Sequence, residues 1–358
     1  MELLSVTMND GVMPRSEIEG KDNSSEDKSN YKVVLTGDMV YNSMRMWQGA
    51  NGISPCDGIV SPAYTVLMPK MPISNGYFAA LFKSPNLINE FRKNSQGMTS
   101  DTWNLKYPQS ETIKVCIPTL SEQERIADML GTLEQRIAKQ AQLVDSLKKY
   151  KRGVMQHIFH QHDAQGDEVW TCVRLGDIFK KVSRRNTNGM VKNVITNSAE
   201  YGLIPQRDFF DKDIAVDGNT TNYYVIEEGD FVYNPRKSNT APYGPFNRYT
   251  LSERGIISPL YTCLVLQADI VPSYLAWYFR SDAWHRYIYD NGSQGVRHDR
   301  VSMTDDLLMG IPVMFPDNAK QQVYADILDK IEARLQAAQK EYELLIKTKD
   351  GYVQQLFI

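Results

Sequence analysis

The chain has 358 residues, which corresponds to two domains at about 150 residues each. Its 42% hydrophobic residues suffice for packed cores, and 22 Gly with 16 Pro exclude collagen-like and low-complexity classes. With 40 Lys and Arg against 43 Asp and Glu, the formal net charge is −3. This charge excludes the general positive field of a nonspecific nucleic-acid binder, so any DNA-contacting surface must be local.

The first residues and the cysteines indicate the compartment. No basic region precedes an apolar run at the start of the chain, and the four cysteines have no CxxC spacing. The longest uncharged apolar stretch, 255–268, is shorter than the roughly 20 residues that cross a bilayer. These features predict a cytoplasmic protein with no membrane span and no zinc ribbon.

An internal repeat covers most of the chain. Three motifs recur in the same order at offsets of 191, 192 and 197 residues. The pairs are Gly11–Pro14 with Gly202–Pro205, Gly37–Asn42 with Gly229–Asn234, and Gly58–Tyr64 with Gly255–Tyr261. Two homologous units whose loops differ in length explain this order.

Each repeat ends in a long helix with a heptad pattern, predicted over roughly 121–159 and 319–357. The apolar a and d positions of the first helix are Ile126, Leu130, Leu133, Ile137, Val144 and Leu147. The matching positions of the second are Tyr324, Leu328, Ile331, Leu335, Tyr342 and Leu345. Lys151 and Lys349 interrupt both seams at the same place, and the second seam is expected to continue through Tyr352 and Leu356. We expect an antiparallel coiled coil that acts as a spacer; the alternative is two amphipathic helices, each lying on its own domain.

The remaining sequence predicts an α+β fold with two mainly β domains. Runs rich in Val, Ile, Tyr and Thr are separated by Gly, Asn, Asp and Pro, which is typical of short strands and turns. One helix is expected around 272–289. The predicted organisation is a first β domain at 1–118, a first spacer helix at 119–160, a second β domain at 161–313 and a second spacer helix at 314–358.

The motifs at the helix ends carry a family resemblance. Ile117-Pro118 precedes the segment Ser121–Ala127, and the first helix closes at Gln156–Phe159. Together with the repeated glycine motifs, these residues resemble the specificity (S) subunit of a Type I restriction-modification system. The resemblance implies that each β domain is a target recognition domain reading half of a bipartite double-stranded DNA sequence, and that the helices set the distance between the halves. It also implies a non-catalytic chain without a cofactor, which binds two adenine-methyltransferase subunits and the restriction subunits.

The chain departs from this pattern in two places. The second helix entrance lacks the Ser-Glu-Gln triplet, with Gln321 or Gln322 as substitutes, which predicts a looser junction. The segment 170–192 precedes the second copy of the repeat and has no counterpart before the first copy. We therefore expect an N-terminally shortened first domain with an unpaired sheet edge, open to self-association.

Candidate DNA contacts are basic, amide and aromatic residues in loops. They fall into three groups: a basic segment before the second repeat, the loop after each Val-Tyr-Asn strand, and the Ser-Gln-Gly turns. The first group is Lys180, Lys181, Arg184, Arg185 and Asn186; the second is Arg45, Trp47, Gln48, Arg236, Lys237 and Asn239; the third is Asn94, Gln96, Gln294, Arg297, His298 and Arg300. For the basic segment the alternative is a solvated strand edge that discourages aggregation, and for the loops it is ordinary surface.

The sequence carries little that indicates catalysis. Asn234-Pro235 is followed by Arg236 and Lys237 where an amino-methyltransferase motif needs proline and an aromatic residue, and no glycine-rich nucleotide loop accompanies it. The histidines at 157, 160 and 162 are better explained by the helix C-terminus than by a metal. The competing functional class is a non-catalytic scaffold whose β domains bind protein partners through the coiled-coil spacer.

Overall fold

A computed structural model describes residues 1–8, 10–20, 24–160, 170–208, 220–292 and 299–357. The chain divides into two compact units, one formed by Met1–Val144 with Ala337–Ile358 and the other by Asp145–Gln336. Each unit therefore contains one β domain and one end of both long helices. No helix in the described part of the chain is long and apolar enough to cross a membrane.

The first unit contains two small sheets followed by helices. Its strands are β1 (Glu2–Val6), β2 (Val12–Pro14), β3 (Lys32–Val34), β4 (Met39–Asn42), β5 (Asn51–Ile53), β6 (Gly58–Val60) and β7 (Tyr64–Leu67). The helices are α1 (Asn75–Leu81), α2 (Pro85–Asn94), α3 (Tyr107–Ser110) and α4 (Leu120–His160), the last of which continues into the second unit. The sheet orders are β2-β1-β6-β3 and β5-β4-β7.

The second unit has the same order of strands as the first and contains additional strands and helices. Its first elements are β8 (Thr171–Arg174), α5 (Leu175–Ile178), β9 (Phe179–Val182), β10 (Ile195–Ser198), β11 (Gly202–Pro205), β12 (Tyr224–Ile226), β13 (Phe231–Tyr233) and β14 (Phe246–Arg248). They are followed by β15 (Gly255–Ile257), β16 (Thr262–Leu266), α6 (Pro272–Arg280), α7 (His285–Asn291), α8 (Asp305–Met309), β17 (Pro312–Phe315) and α9 (Asn318–Leu356). The largest sheet has the order β14-β13-β16-β9.

The two units share strand register as well as strand order. Met39 on β4 pairs with Leu67 on β7, and Phe231 on β13 pairs with Leu264 on β16, at the offsets found in the sequence. The Gly-Asp motif makes the same turn twice, because the Asp230 carboxylate accepts from the Glu227 amide at 2.8 Å as the Asp38 carboxylate does from Leu35 at 2.9 Å. The sequence repeat is therefore also a structural repeat.

Among the described residues, the segment β8-α5-β9 is found in the second unit and has no counterpart in the first. β9 pairs with β16 at the edge of the large sheet, and β8 pairs with β17. Leu175, Ile178 and Phe179 from this segment are 0%, 4% and 3% exposed and join the main core of the unit.

The single helix expected around 272–289 is wrong, because α6 and α7 are two helices with a break between them. Ser281 ends α6, its hydroxyl donating to the Tyr278 carbonyl at 2.6 Å and accepting from the Ala283 amide at 3.3 Å. This local bonding competes with the helical hydrogen bonds. The break lets Trp284 turn into the core, where it is 1% exposed.

The long helices α4 and α9 form the antiparallel coiled coil. All twelve predicted seam residues are buried or half-buried. In the first unit the Gln140 amide donates to the Ala338 carbonyl at 3.0 Å, and in the second the Lys151 ammonium lies 2.8 Å from the Glu332 carboxylate. These partners run in opposite directions along the two helices, which establishes the antiparallel order.

The seam of α9 changes register near its end. Tyr352 and Leu356 were expected to continue it but are 43% and 36% exposed. Val353 and Phe357 pack into the core of the first unit instead, with the Phe357 ring 5.3 Å from that of Tyr77. The expectation for these two positions is wrong, because past Lys349 the helix packs on the aromatic residues of the β domain.

Gln123 and Gln321 fix the entrances of the two long helices in the same way. Gln123 accepts from the Ser74 amide at 3.1 Å and donates to the Pro118 carbonyl at 2.9 Å. Gln321 accepts from the Val271 amide at 2.8 Å and donates to the Pro316 carbonyl at 2.8 Å. The second entrance, which the sequence predicts to be looser, thus has the same buried amide, at 1% exposure.

Candidate nucleic-acid interface

In the second unit, backbone pairing joins two of the predicted loops. The Lys237 amide donates to the Asp299 carbonyl and the Val301 amide to the Pro235 carbonyl, both at 2.9 Å. Arg236 and Arg300 face each other across this pairing. Two arginines that lie 64 positions apart in sequence are therefore placed on one surface.

Tyr261 and Tyr223 connect these arginines to the basic segment. Burial raises the pKa of Tyr261, and the nearby positive charges of Arg236 and Arg300 oppose that rise. Tyr223, which also interacts with Tyr261, accepts at its carbonyl from the Asn186 amide at 3.0 Å. The exposed Arg185 lies beside it, paired with Tyr224. The surface formed by Arg185, Tyr223, Arg236, Tyr261 and Arg300 is named here the second-unit cluster, and Lys237 and the exposed Asn239 follow Arg236 in the same loop.

Arg184 and Asn186 have internal partners instead. The Arg184 guanidinium bonds the Glu227 carboxylate at 3.1 Å and the buried Asp230 carboxylate. Asn186 is 1% exposed, and its side-chain amide donates to and accepts from the backbone of Val191. Both residues shape the loop that presents Arg185, and we assign them to loop structure rather than to DNA contact.

Lys180 and Lys181 lie on β9, the edge strand of the large sheet. The Lys181 ammonium is 2.6 Å from the Asp305 carboxylate, which neutralises part of its charge. This is the position that a solvated strand edge requires, so the alternative for these two lysines stays open beside the DNA contact.

In the first unit, two tryptophans and an arginine stack at the surface. The Trp47 and Trp103 rings meet edge to face with centroids 5.1 Å apart, and the Arg92 guanidinium lies 5.3 Å from the centre of the Trp103 ring. Arg45 and Gln48 flank Trp47 in the same short loop. The surface formed by Arg45, Trp47, Gln48, Arg92 and Trp103 is named here the first-unit cluster.

Hydrogen bonds to neighbouring residues of the same unit hold the Ser-Gln-Gly turn of the first unit in place. Gln96 exchanges backbone hydrogen bonds with Asn104 at 3.0 and 2.8 Å, while the Asn94 amide donates to the Glu90 carbonyl at 2.9 Å. Gly97 has a φ of +151°, and a Cβ there would lie 2.6 Å from the Thr102 carbonyl oxygen. Glycine at this position therefore serves a close approach within the chain. Among these residues, the Gln96 side chain is exposed.

Three predicted contacts, Gln294, Arg297 and His298, lie outside the described residues. The structure adds to the two clusters four residues that sequence reasoning missed, Arg92, Trp103, Tyr223 and Tyr261. Arg92 stands two positions before the predicted Asn94, so the local signal was present. Trp103 is far in sequence from the loop it adjoins, and nothing in the pattern marks it. Tyr261 is the last residue of the repeated motif Gly255–Tyr261, which marks it as part of the repeat but not as a site residue.

The residues weighed for catalysis and metal binding have structural partners. Asn234 is 6% exposed and its side-chain oxygen accepts from the Arg236 amide at 3.0 Å. His160 bonds the Asp282 carboxylate at 2.7 Å. Within the described residues, no group of three His, Cys, Asp or Glu side chains could hold a metal ion; position 162 lies outside them.

The known proteins that this chain resembles belong to Type I restriction-modification systems. No protein-family model matches the chain. The Type I restriction enzyme StySPI specificity subunit of Salmonella potsdam is 26% identical over 187 residues, covering 46% of this chain and 38% of that protein. The chain resembles a Type I specificity subunit. The similarity spans well under half the length of the StySPI specificity subunit.

Solved structures of Type I restriction-modification proteins share the fold. The S subunit from M. genitalium aligns with a TM-score of 0.55 at 15% identity, covering 91% of this chain and 84% of that one. A chain from a structure of Type I complex assembly and conformational transition aligns with a TM-score of 0.53 at 17% identity, covering 93% and 84%. The specificity-subunit fold, with its two β domains and two long helices, is thus the fold of this chain.

Proposed function

We propose that the chain is the non-catalytic DNA-recognition subunit of a Type I restriction-modification complex in the cytoplasm. The observation that carries the proposal is the structural repeat, in which two β domains of matching strand register are each followed by one helix of an antiparallel pair. Two readers joined by a spacer match two half-sites separated by a fixed gap.

The two clusters support the proposal that each domain reads a different half-site. The strands β10–β16 repeat the strands β1–β7, but the loops carry Arg45, Trp47 and Gln48 in one unit and Arg236, Lys237 and Asn239 in the other. Arginine and amide side chains suit base edges in the major groove. The different side chains on a common frame account for a bipartite, asymmetric target.

The repeat also supports two copies of a methyltransferase partner. An internal pseudo-symmetry presents equivalent helix and sheet surfaces twice, which suits two identical subunits bound in equivalent ways. Restriction subunits would then join the assembled methyltransferase. The net charge of −3 makes tight DNA binding by the chain alone unexpected, so the methyltransferase subunits are proposed to supply much of the affinity.

Methylome sequencing tests the proposal directly. The chain is expressed with its adenine-methyltransferase subunit in a host without other adenine methylation. We expect one methylated motif made of two defined halves and a fixed gap. A matched chain with Arg236, Lys237 and Arg300 replaced by alanine should lose selectivity in one half. Absence of any motif, together with a purified complex whose DNA binding is insensitive to salt, would favour the scaffold class instead.

A further inference from the structure

A cavity of about 340 Å³ lies in the first unit, where α1, α4 and α9 meet. Its walls are made largely of small residues, among them Gly52, Ala79, Ala80, Ala127 and Gly131. Charged residues also line it: Asp10, Lys83, Glu134 and Lys349. This volume falls in the range of small-molecule pockets, about 300–1,000 Å³. The cavity therefore has room for a small ligand and charged groups that can orient it.

The charged residues of the cavity leave one ammonium without a partner. The Lys349 ammonium and the Glu134 carboxylate pair at 2.6 Å. The half-buried Lys83 has no hydrogen bond or ion pair among the residues that the structure describes. Burial lowers the pKa of Lys83, and the charge of Lys349 adds to this shift, whereas Glu134 opposes it. The exposed Asp10 opposes it as well. An acceptor placed in the cavity would therefore stabilise the charged form of Lys83.

The repeat shows what fills the same place in the second unit. Positions of α1 correspond to positions of α6 at an offset of 197 residues, and the long helices correspond at 198. The entrance glutamines support this alignment, because each accepts a hydrogen bond from the amide just before α1 or α6. Ala80 therefore corresponds to Trp277, and Gly131 corresponds to Asp329.

Trp277 occupies this place in the second unit and is 4% exposed. Its indole nitrogen donates to the Asp329 carboxylate at 2.7 Å. The Arg280 guanidinium lies 5.2 Å from the ring centre, and the Lys151 ammonium lies 6.0 Å from it. In this unit an aromatic ring therefore lies against two cations, an arrangement that is stabilising in itself.

The first unit keeps the two cations but lacks the ring. Their counterparts at the same offsets are Lys83 and Lys349, whereas Ala80 stands in place of the tryptophan. Gly131 stands in place of the aspartate, and a Cβ added there would meet no atom within 4 Å. The cavity therefore arises from the exchange of two large or charged side chains for small ones inside the repeat.

We propose that this cavity, defined by Ala80, Lys83, Gly131 and Lys349 and named here the aromatic-acid pocket, binds a small planar aromatic compound that carries a carboxylate. The ring takes the place that Trp277 fills in the second unit, against both lysines. The carboxylate accepts from the Lys83 ammonium. A cation at a ring face and a charge-assisted hydrogen bond are both stabilising, the more so where water is excluded. The site goes beyond the DNA-reading function and does not rest on it.

Calorimetric titration of the full chain with three indole compounds tests the proposal. Indole-3-acetate carries a carboxylate, indole has the ring alone, and tryptamine carries an ammonium instead. We expect indole-3-acetate to bind at least about tenfold more tightly than tryptamine, and more tightly than indole, because only the carboxylate offers a charged acceptor to Lys83. Indole should compete with indole-3-acetate, since both rings occupy the same place.

Variants at two positions assign the binding to the pocket. Gly131→Asp restores the carboxylate of the second unit at a position with open space, so the melting temperature should stay near that of the parent while the preference for indole-3-acetate over tryptamine is lost. Gly131→Asn is the matched neutral control and should retain the preference. Lys83→Met should bring indole-3-acetate to the affinity of indole, whereas Lys70→Met, at an exposed lysine of the same unit, should change neither affinity.

Three results would overturn the proposal. One is no binding of indole-3-acetate at about 1 mM, or equal affinity for all three compounds. Another is an unchanged preference in Lys83→Met, because the carboxylate would then lie elsewhere. The third is tighter binding of indole than of indole-3-acetate, which would assign the cavity to an uncharged aromatic group such as a partner's side chain. The methylome test above has its own readout and is unaffected by any of these results.

Discussion

Arg184 and Arg185 are adjacent and chemically identical, but their surroundings give them different roles. Arg184 points to Glu227 and Asp230, so its charge stabilises the Gly-Asp turn. Arg185 is exposed beside Tyr224 and has its charge available at the surface. A charge count over 170–193 cannot distinguish them, since that distinction depends on carboxylates about 40 residues away.

Arg236 tests whether the second-unit cluster reads bases. Arg236→Ala should reduce discrimination at one base pair of one half-site by about 1–3 kcal/mol, because a bidentate guanine contact is lost. The measurement is competition binding of the methyltransferase complex to DNAs substituted one base pair at a time. Arg334→Ala, which removes an exposed charge from α9 in the same unit, is the control. Uniform weakening on all sequences would instead identify a phosphate contact.

Cys263 reports on the packing of the second domain. It is 1% exposed on β16, and burial raises its pKa to about 12. Because the thiolate is the reactive form, a raised pKa leaves almost none of it at about pH 8. Iodoacetamide should therefore modify the exposed Cys116 and Cys172 well before Cys263, as read by peptide mass spectrometry. Equal rates in the native protein would mean that the sheet opens readily; denaturant should equalise them.

At the scale of elements, the hydrophobic periodicity of the sequence determined which helices and strands could be predicted. The heptads located both long helices to within one or two residues because burial repeats along forty positions and averages out local exceptions. The strands are three to five residues long, too short for their pairing to follow from pattern alone. The two surface clusters were foreseen only in part, because Trp103 reaches Trp47 through tertiary contact. The burial of Asn186 likewise depends on the fold of its loop.

The helix entrances offer a test with a built-in control. Gln321→Ala should lower the free energy of unfolding by about 1–3 kcal/mol, because it leaves the partly buried Val271 amide and the buried Pro316 carbonyl without this partner. Gln322→Ala, one residue later, removes only an exposed contact to Asp326 and should change stability little. Urea unfolding of both variants gives the comparison. Equal effects would contradict the specific role of Gln321.

The lysines that interrupt the heptads pair across the coiled coil. Lys151 bonds Glu332 at 2.8 Å, and Lys349 bonds Glu134 at 2.6 Å, so both units have an ion pair at the repeated position, half-buried in the second unit and with an exposed Glu134 in the first. Polar pairs in a seam fix the register of helices. Lys151→Glu should destabilise the protein, and the double swap with Glu332→Lys should recover most of the loss, with a coupling of about 0.5–3 kcal/mol in a thermal or urea double-mutant cycle. A double swap no more stable than the sum of the singles would remove the pair from this role.

At the scale of the whole molecule, the helix pair is shared by the two β domains. Helices of 41 and 39 residues extend for about 60 Å at about 1.5 Å per residue, longer than either small β domain needs for its own packing. The seam continues in both units, with ion pairs that fix its register in each. A helix pair of fixed length can set the distance between the domains that it joins. The proposed function therefore requires that the gap between half-sites depend on the length of the helices.

Lengthening both helices together tests this requirement. A seven-residue heptad inserted between Lys139 and Gln140 and another between Ala338 and Gln339 keeps the seam and adds about 10 Å, close to 3 base pairs. Selection of bound DNA from a random pool should return the same two half-sites with a gap about 3 base pairs longer. The control is a four-residue insertion after Lys139 alone, which rotates one seam away from the other and should abolish bipartite selection. If the double heptad left the gap unchanged, the helices would not set the spacing, and the distance would have to come from the partner subunits.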